Sequence, residues 1–184
     1  MKSCSKCVMD DTALEISYDE HGICSFCKEY DLRSLKDLHQ NPEDLNRLGI
    51  FLNSIKEERK IYEYDCLIGV SGGVDSSYVA YLLKKVYGLN PLAVHLDNAW
   101  NSELAISNVE KIMKILDIDL ITHVLDWNEF REIQLAFLKS SIVDLEIPTD
   151  IAIAASLYKT ASKYKIKYII SGGNYSGEGI LPLS

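Results

Sequence analysis

The sequence contains no apolar run long enough to cross a bilayer, and its first residues, MKSCSKC, lack the apolar core of a secretory signal. Neither a helical membrane span nor membrane insertion is therefore expected, and the chain reads as cytoplasmic. Clustered basic residues are missing as well. Asp and Glu number 27 against 19 Lys and Arg, a formal net charge of −8. The densest basic group, Lys159, Lys163, Lys165 and Lys167, reads as a solvated helix face running into an edge loop. Nucleic acids are captured chiefly by clustered lysine and arginine, so no nucleic-acid partner is expected. There is no low-complexity tract and no useful internal repeat. No cysteine occurs after Cys66, which leaves the second half of the chain without a thiol nucleophile.

What is present is an ordinary globular composition, 47% hydrophobic and 25% charged over 184 residues, enough for one core and a small appendage. After Tyr64 the pattern alternates. Residues 66–70, 92–96, 118–125 and 168–170 read as buried strands, and 76–87, 102–116, 129–140 and 150–164 read as helices. Such alternation predicts an α/β fold with a doubly wound parallel sheet and right-handed crossovers. Ahead of it, Asn41-Pro42-Glu43-Asp44 signals a helix start, and Leu45, Leu48, Leu52 and Ile55 form its apolar stripe. The expected organisation is an N-terminal module at 1–30, a helical connector at 31–61 and the α/β domain at 62–184.

The N-terminal module is marked by Cys4-x2-Cys7, sixteen residues, then Cys24-x2-Cys27. That spacing suits a four-thiolate zinc site. Leu14 to Tyr18 alternates like a strand, and Asp19-Glu20-His21-Gly22 is a turn signal returning the chain to the second pair, so a zinc-ribbon hairpin is expected. A redox pair would need a thioredoxin-like setting that is not seen here. Four protein thiolates leave no open position, so the zinc is expected to be structural. His21, in the turn, reads as solvent-facing.

The chemistry lies in SGGVDSS, Ser71 to Ser77, between the first strand and its helix. A helix N-terminus offers unpaired N–H groups and about half a positive charge, which suits phosphate. Neither a Walker loop nor a dinucleotide fingerprint fits these residues, and no Walker lysine follows them. Small residues let the backbone approach an anion, and hydroxyls can donate to it. Asp75 would repel phosphate unless a cation intervenes; it reads either as a Mg²⁺ ligand or as a helix cap. Two other strand ends are marked, His95-Leu96-Asp97-Asn98 and Ser171-Gly172-Gly173-Asn174, and all three should converge at the carboxyl edge of the sheet.

SGGVDSS after a hydrophobic strand resembles the PP-loop of the ATP pyrophosphatases, whose adenine nucleotide alpha hydrolase-like fold is then implied. That group includes GMP, NAD and argininosuccinate synthetases and tRNA thiolation enzymes. The resemblance implies that the loop holds the β- and γ-phosphates as leaving pyrophosphate, so that AMP is transferred and no Walker lysine is needed. Over nearly the whole chain, the two CxxC pairs followed by YDCLIGVSGGVDSS, HLDNAWNSELAISNVEKI, IPTDIAIAASLY and YIISGGNYSGEGILP resemble the N-acetyl sugar amidotransferases of surface-polysaccharide (lipopolysaccharide) synthesis. By that resemblance, an acetamido group on a sugar is adenylated and converted to an acetamidino group, with ammonia from a separate glutaminase. Ser71, Gly72, Gly73, Val74, Asp75, Ser76 and Ser77 would hold ATP, with Ser71, Asp75 and Ser76 closest to the chemistry. Val94, His95, Leu96 and Asp97 would form the adenosine edge, and Gly172, Gly173 and Asn174 the loop across the cleft. Asp75 and Glu178 would hold magnesium. His95 could instead fill space, Asp97 and Asp150 could cap helices, and Glu178 could be merely exposed.

Chains of that family continue past the SGGN loop, so a shortened C-terminus and a partly missing acceptor pocket are expected. A tRNA thiolation enzyme and a catalytically incomplete ATP-binding module are the alternatives. Cys66, opening the first strand, reads as a buried small hydrophobe.

Overall fold

The computed structural model describes residues 2–37, 41–142 and 144–173. These form two units, one holding the chain through Arg47 and a larger one running Leu48–Gly172. In chain order the elements are α1 (Ser25–Asp37), α2 (Pro42–Glu58), β1 (Cys66–Gly69), α3 (Val74–Tyr81), β2 (Pro91–Asp97), α4 (Glu103–Leu116), β3 (Leu120–Val124), α5 (Trp127–Lys139), α6 (Ile147–Lys163) and β4 (Ile169–Ile170).

The larger unit is a four-stranded sheet of order β3-β2-β1-β4. Every pairing is parallel, with Cys66 opposite Pro91, Leu67 opposite Ile169 and Asp97 opposite Val124. Alternation along the strands sorts the core onto two faces. Cys66, Ile68, Val70 and Ala93 pack with Leu52 and Ile55 of α2, Ala80 of α3, and Val109 and Met113 of α4. Leu67, Leu92 and Val94 pack on the opposite face with Ala161 of α6 and Ile166. Because β1 is covered on both faces, its residues read as one apolar run rather than an alternating one.

Helix ends follow local chemistry. The Ser102 hydroxyl caps α4 by accepting from Ala105 N at 3.2 Å, and the Asp126 carboxylate caps α5 by accepting from Glu129 N at 3.0 Å. Helix α4 stops at Asp117, whose left-handed φ of 55° lets Ile118 N donate back to Met113 O at 3.0 Å. The helix expected at 76–87 starts earlier, at Val74, and widens into a π-helical turn over Leu82–Val86. Strand order reverses beside β1, because β2 and β3 lie to one side and β4 to the other. The crevice at the carboxyl ends of β1 and β4 is where such sheets hold ligands.

In the smaller unit the strand expected over Leu14 to Tyr18 does not form. Among its described residues only isolated antiparallel bridges occur, Ser3 with Asp10 and Tyr18 with Cys24. Glu15 has a left-handed φ of 60°, which breaks the extended run that the alternation suggested. The turn is as expected: Asp19 Oδ1 accepts from His21 N and Ile23 N, both at 2.9 Å, and Lys28 Nζ lies 2.9 Å from its other carboxylate oxygen. The helix after it begins at Ser25, inside the second cysteine pair. No helix among the described residues is long and apolar enough to cross a membrane.

Candidate functional site

Strand β1 delivers the chain to Ser71-Gly72-Gly73, and α3 begins at once with Val74. Gly73 is the N-cap and no side chain caps this end, so the amides of the first turn have no side-chain acceptor. Hydroxyls ring the same spot. Ser71 Oγ and Ser76 Oγ are 3.3 Å apart, Ser76 Oγ donates to Gly73 O at 3.4 Å, and Ser77 Oγ donates to Gly73 O at 2.6 Å. The arrangement is a concentration of donors at the positive end of a helix, the chemistry of an anion cradle.

Two glycines are required by close approach. Gly72 has φ +80°, and a Cβ there would lie 2.4 Å from Ala105 O of α4. A Cβ on Gly172, after β4, would lie 3.0 Å from Ser76 Cα and 3.1 Å from Ser76 N. The loop is thus held between the first turn of α4 and the end of β4, and Asn108 Nδ2 reaches Gly72 O at 3.5 Å. Ala105 and Asn108 escaped sequence reasoning, since each is more than thirty positions after the Gly72 that it meets and only the fold brings them together.

Asp75 is in the first turn of α3, one residue beyond Val74, and both are exposed. Its carboxylate caps nothing, because the cap position belongs to Gly73. The helix-cap alternative is therefore not what the fold uses, and the carboxylate, at the rim of the cradle, has no side-chain partner among the described residues. Asp97 is not a cap either. Its Oδ1 accepts from Ala99 N at 2.9 Å and shapes the turn leading to the Ser102 cap. Asp150 likewise lies inside the first turn of α6, behind the N-cap position at Glu146.

In the middle of β2, Val94 has its side chain in the core and its carbonyl accepting from Val70 N at 2.9 Å, so it serves the sheet. His95 is buried, and its Nδ1 lies 2.8 Å from Val70 O. Donation to that carbonyl puts the proton on Nδ1 and leaves Nε2 as an acceptor, which has no partner within the described structure. Leu96 is half-buried, and its carbonyl accepts from Asn101 Nδ2 at 3.2 Å. Gly173 lies just beyond the larger unit, which ends at Gly172. Asn174 and Glu178 lie outside the described residues. An apolar groove of about 410 Å³ between α5 and α6, lined by Phe130, Ile133, Phe137, Pro148 and Ile151, includes none of the expected site residues.

The other candidate centre is in the smaller unit. Cys4, Cys7, Cys24 and Cys27 place their sulfurs within 4.8 Å of one another, with Cys4 to Cys27 at 4.0 Å and Cys7 to Cys24 at 3.7 Å. Four sulfurs at about 2.3 Å from one tetrahedral ion would be about 3.8 Å apart. The set therefore fits a single ion, whereas an iron–sulfur cluster interposes several atoms and holds its thiolates further apart. Burial opposes ionisation of Cys4, but N–H donors from Lys6 and Cys24, at 3.3 and 3.2 Å, outweigh it and bring the thiol down to about 6. Burial, with the neighbouring thiols, pushes Cys27 up. An unneutralised four-thiol site cannot ionise together, which is what a cation would relieve. His21 is exposed and outside the set. Cys66 is fully buried in the sheet, and burial pushes its thiol up to about 12, beyond use as a nucleophile.

The basic group near α6 behaves as a solvated face: Lys167 Nζ pairs with Glu58 Oε1 at 2.7 Å, and Lys163 lies over the Tyr164 ring.

Against known proteins, the NAD synthase family profile matches residues 45–173, well over half of the chain. An uncharacterized protein of Methanocaldococcus jannaschii is 32% identical over 130 residues, covering 70% of this chain and 45% of that protein. The glutamine-hydrolyzing GMP synthase of Dictyostelium discoideum is 38% identical over 72 residues, covering 39% of this chain and 9% of that enzyme. The chain thus spans less than half the length of these curated relatives. Among solved structures, the glutamine-dependent NAD⁺ synthetase of Acinetobacter baumannii, in complex with ADP, superposes with a TM-score of 0.51 at 13% identity, over 70% of this chain and 26% of that one. That likeness is one of fold. With the cradle at the end of β1, the sheet order and the span of the profile match in agreement, the chain belongs to the NAD synthase family of PP-loop ATP pyrophosphatases.

Proposed function

We propose that the chain is the synthetase part of an N-acetyl sugar amidotransferase, which adenylates the acetamido oxygen of an N-acetylated sugar and replaces it with ammonia. The observation that carries the phosphate half of this reading is the uncapped start of α3, ringed by Ser71, Ser76 and Ser77 and carrying the Asp75 carboxylate. Amides and hydroxyls of residues 71–77 would grip the β- and γ-phosphates of ATP. Asp75 suits a Mg²⁺ ion, which supplies charge neutralisation at phosphate oxygens when bound. Glu178 is the second proposed ligand for that ion. The His95 Nε2 acceptor and the turn at Asp97 would face adenosine, and Gly172, which packs on Ser76, would border the same nucleotide.

The chemistry needs orientation rather than a protein nucleophile. An acetamide oxygen is a poor leaving group until it carries AMP. Attack by that oxygen on the α-phosphorus forms the C–O–P link and expels pyrophosphate; ammonia then adds to the carbon, AMP leaves with the oxygen, and an acetamidine remains after proton loss. Fixed donors at the loop stabilise charge on the departing pyrophosphate. Two relatives reported above are named glutamine-dependent or glutamine-hydrolyzing, which supports ammonia as the nitrogen donor. Here a separate glutaminase would supply it, because Cys66 is buried and the other four cysteines share one cluster. That cluster is proposed to hold a structural zinc, closed to substrate by its four thiolates. A thiol-dependent tRNA thiolation fits less well, since the cradle has no reactive cysteine beside it.

The test is product identity. With Mg·ATP, ammonium and an N-acetylated sugar nucleotide, mass spectrometry over many hours should find AMP, pyrophosphate and a sugar in which NH has replaced oxygen. ADP with orthophosphate, or AMP release indifferent to the sugar, would contradict the proposal.

A further inference from the structure

We propose that Trp100 and Trp127 form the platform on which the pyranose ring of the acceptor lies; this rests on the acceptor reading above. The two rings meet edge to face, centroids 5.7 Å apart at 72°. Their placement follows from the sheet. Asp97 and Val124 are opposite each other at the ends of β2 and β3, and each tryptophan is three residues beyond one of them. Both indoles therefore stand on the carboxyl rim of the sheet, the edge that also carries the cradle.

The platform is held in place. Trp100 Nε1 donates to Gln134 Oε1 of α5 at 2.8 Å, and Trp100 N donates to Asn98 Oδ1 at 3.1 Å. Ala99 takes a left-handed φ of 64° to make this turn, a conformation unfavourable for a residue with a Cβ. Asn101 Nδ2 ties the far side of the turn to Leu96 O at 3.2 Å. Yet Trp100 remains 66% exposed and Trp127 40% exposed. An indole anchored by its polar edge and its backbone, with its apolar surface left to water, is a surface prepared for a partner.

The chemistry of the surroundings selects the partner. A pyranose has an apolar C–H face that covers an indole and a rim of hydroxyls that needs acceptors. Gln134 Oε1, which accepts from Trp100, and the carboxylate of Asp126, which precedes Trp127 and caps α5, are acceptors at the platform with lone pairs left for hydroxyls. No lysine or arginine lies between Asn90 and Glu110, and the nearest cation after Trp127 on α5, Arg131, is paired with Glu132 at 2.9 Å. The platform is also near the chemistry. Trp100 precedes Ala105, the residue packed on Gly72, by two loop residues and one helical turn, a Cα separation of at most about 12 Å.

Saturation-transfer NMR with N-acetylglucosamine, an uncharged probe, tests the assignment. The parent chain should transfer saturation to the ring protons of the sugar. Trp100→Ala should weaken the sugar at least about tenfold, Trp100→Phe should keep most of the affinity, and Mg·ATP affinity by calorimetry should hold in both. Equal sugar binding by Trp100→Ala would overturn the platform and leave the acceptor reading standing. Loss of Mg·ATP affinity in Trp100→Ala would show that the indole stacks on adenine and would also overturn it. No sugar binding by the parent would contradict platform and acceptor together.

Discussion

Replacing Gly72 by alanine probes the contact that shapes the cradle. Gly72 has φ +80°, where a Cβ costs about 1–2 kcal/mol for an L-residue. That Cβ would also sit 2.4 Å from Ala105 O and 3.0 Å from two further backbone atoms of Ala105, none of which can rotate away. Overpacking against atoms that cannot yield typically costs about 1–3 kcal/mol more. The expected loss is about 2–5 kcal/mol, a large share of the roughly 5–15 kcal/mol that holds a domain together. At a urea dependence of about 2 kcal/mol/M, the midpoint should fall by about 1–2.5 M. Trp100 and Trp127 are the two tryptophans of the chain, and both belong to the unit Leu48–Gly172, so indole fluorescence reports this unit alone. Gly73→Ala is the control. Its Cβ would meet only the Ser71 hydroxyl, at 3.3 Å, and a hydroxyl can turn aside, so its midpoint should move by less than about half as much. If Gly72→Ala unfolded at the parent midpoint, the close approach of α4 to the loop would be wrong.

Elemental analysis should find about one zinc per chain, and Cys24→Ser should release it, because one of four thiolates is lost; full metal content in a variant lacking both Cys24 and Cys27 would refute the site. Glu58 is held below its ordinary 4.5 by Lys167 and then by the Tyr168 hydroxyl. Its contribution is therefore complete above 4.5 and fades as pH drops through the lower folded value, so Glu58→Gln should lose less stability than the parent between pH 7 and that acid range. An unchanged acid response by indole fluorescence would count against the pair. The chain should release no glutamate from glutamine, and Cys66→Ala should change nothing; a glutaminase activity lost in that variant would require a reactive Cys66.

The elements that were legible in sequence are those fixed by short-range pattern. Cys66-Leu67-Ile68 reads as a buried strand, and the alternation of such runs with helices implied the parallel sheet. The paired cysteines announced their cluster by spacing alone, and SGGVDSS its cradle by small residues at a strand-to-helix turn. Other features depend on partners distant in sequence. Nothing near Gly72 says that Ala105 will press on it, and nothing near Trp100 names Gln134 as its acceptor. The strand expected at Leu14 to Tyr18 failed at Glu15, whose left-handed φ of 60° breaks the extended run, while Ile16 N turns back to Ala13 O at 3.4 Å. Helix α1 begins at Ser25, so that Cys27 falls in its first turn, a start for which the cysteine spacing gives no helical signal. Asp97 and Asp150 resembled helix caps in composition, but α4 is capped by the Ser102 hydroxyl and the N-cap position of α6 is Glu146, whose side chain makes no capping bond.

In the proposed reaction residues 71–77 hold the pyrophosphate part of ATP. Calorimetric competition between inorganic pyrophosphate and ATP, both with Mg²⁺, tests it most directly. Magnesium pyrophosphate should displace Mg·ATP from the parent chain, and Asp75→Ala should weaken both ligands together while circular dichroism stays unchanged. Mg·ATP that binds undisturbed by saturating pyrophosphate, or that binds Asp75→Ala as tightly as the parent, would contradict the account.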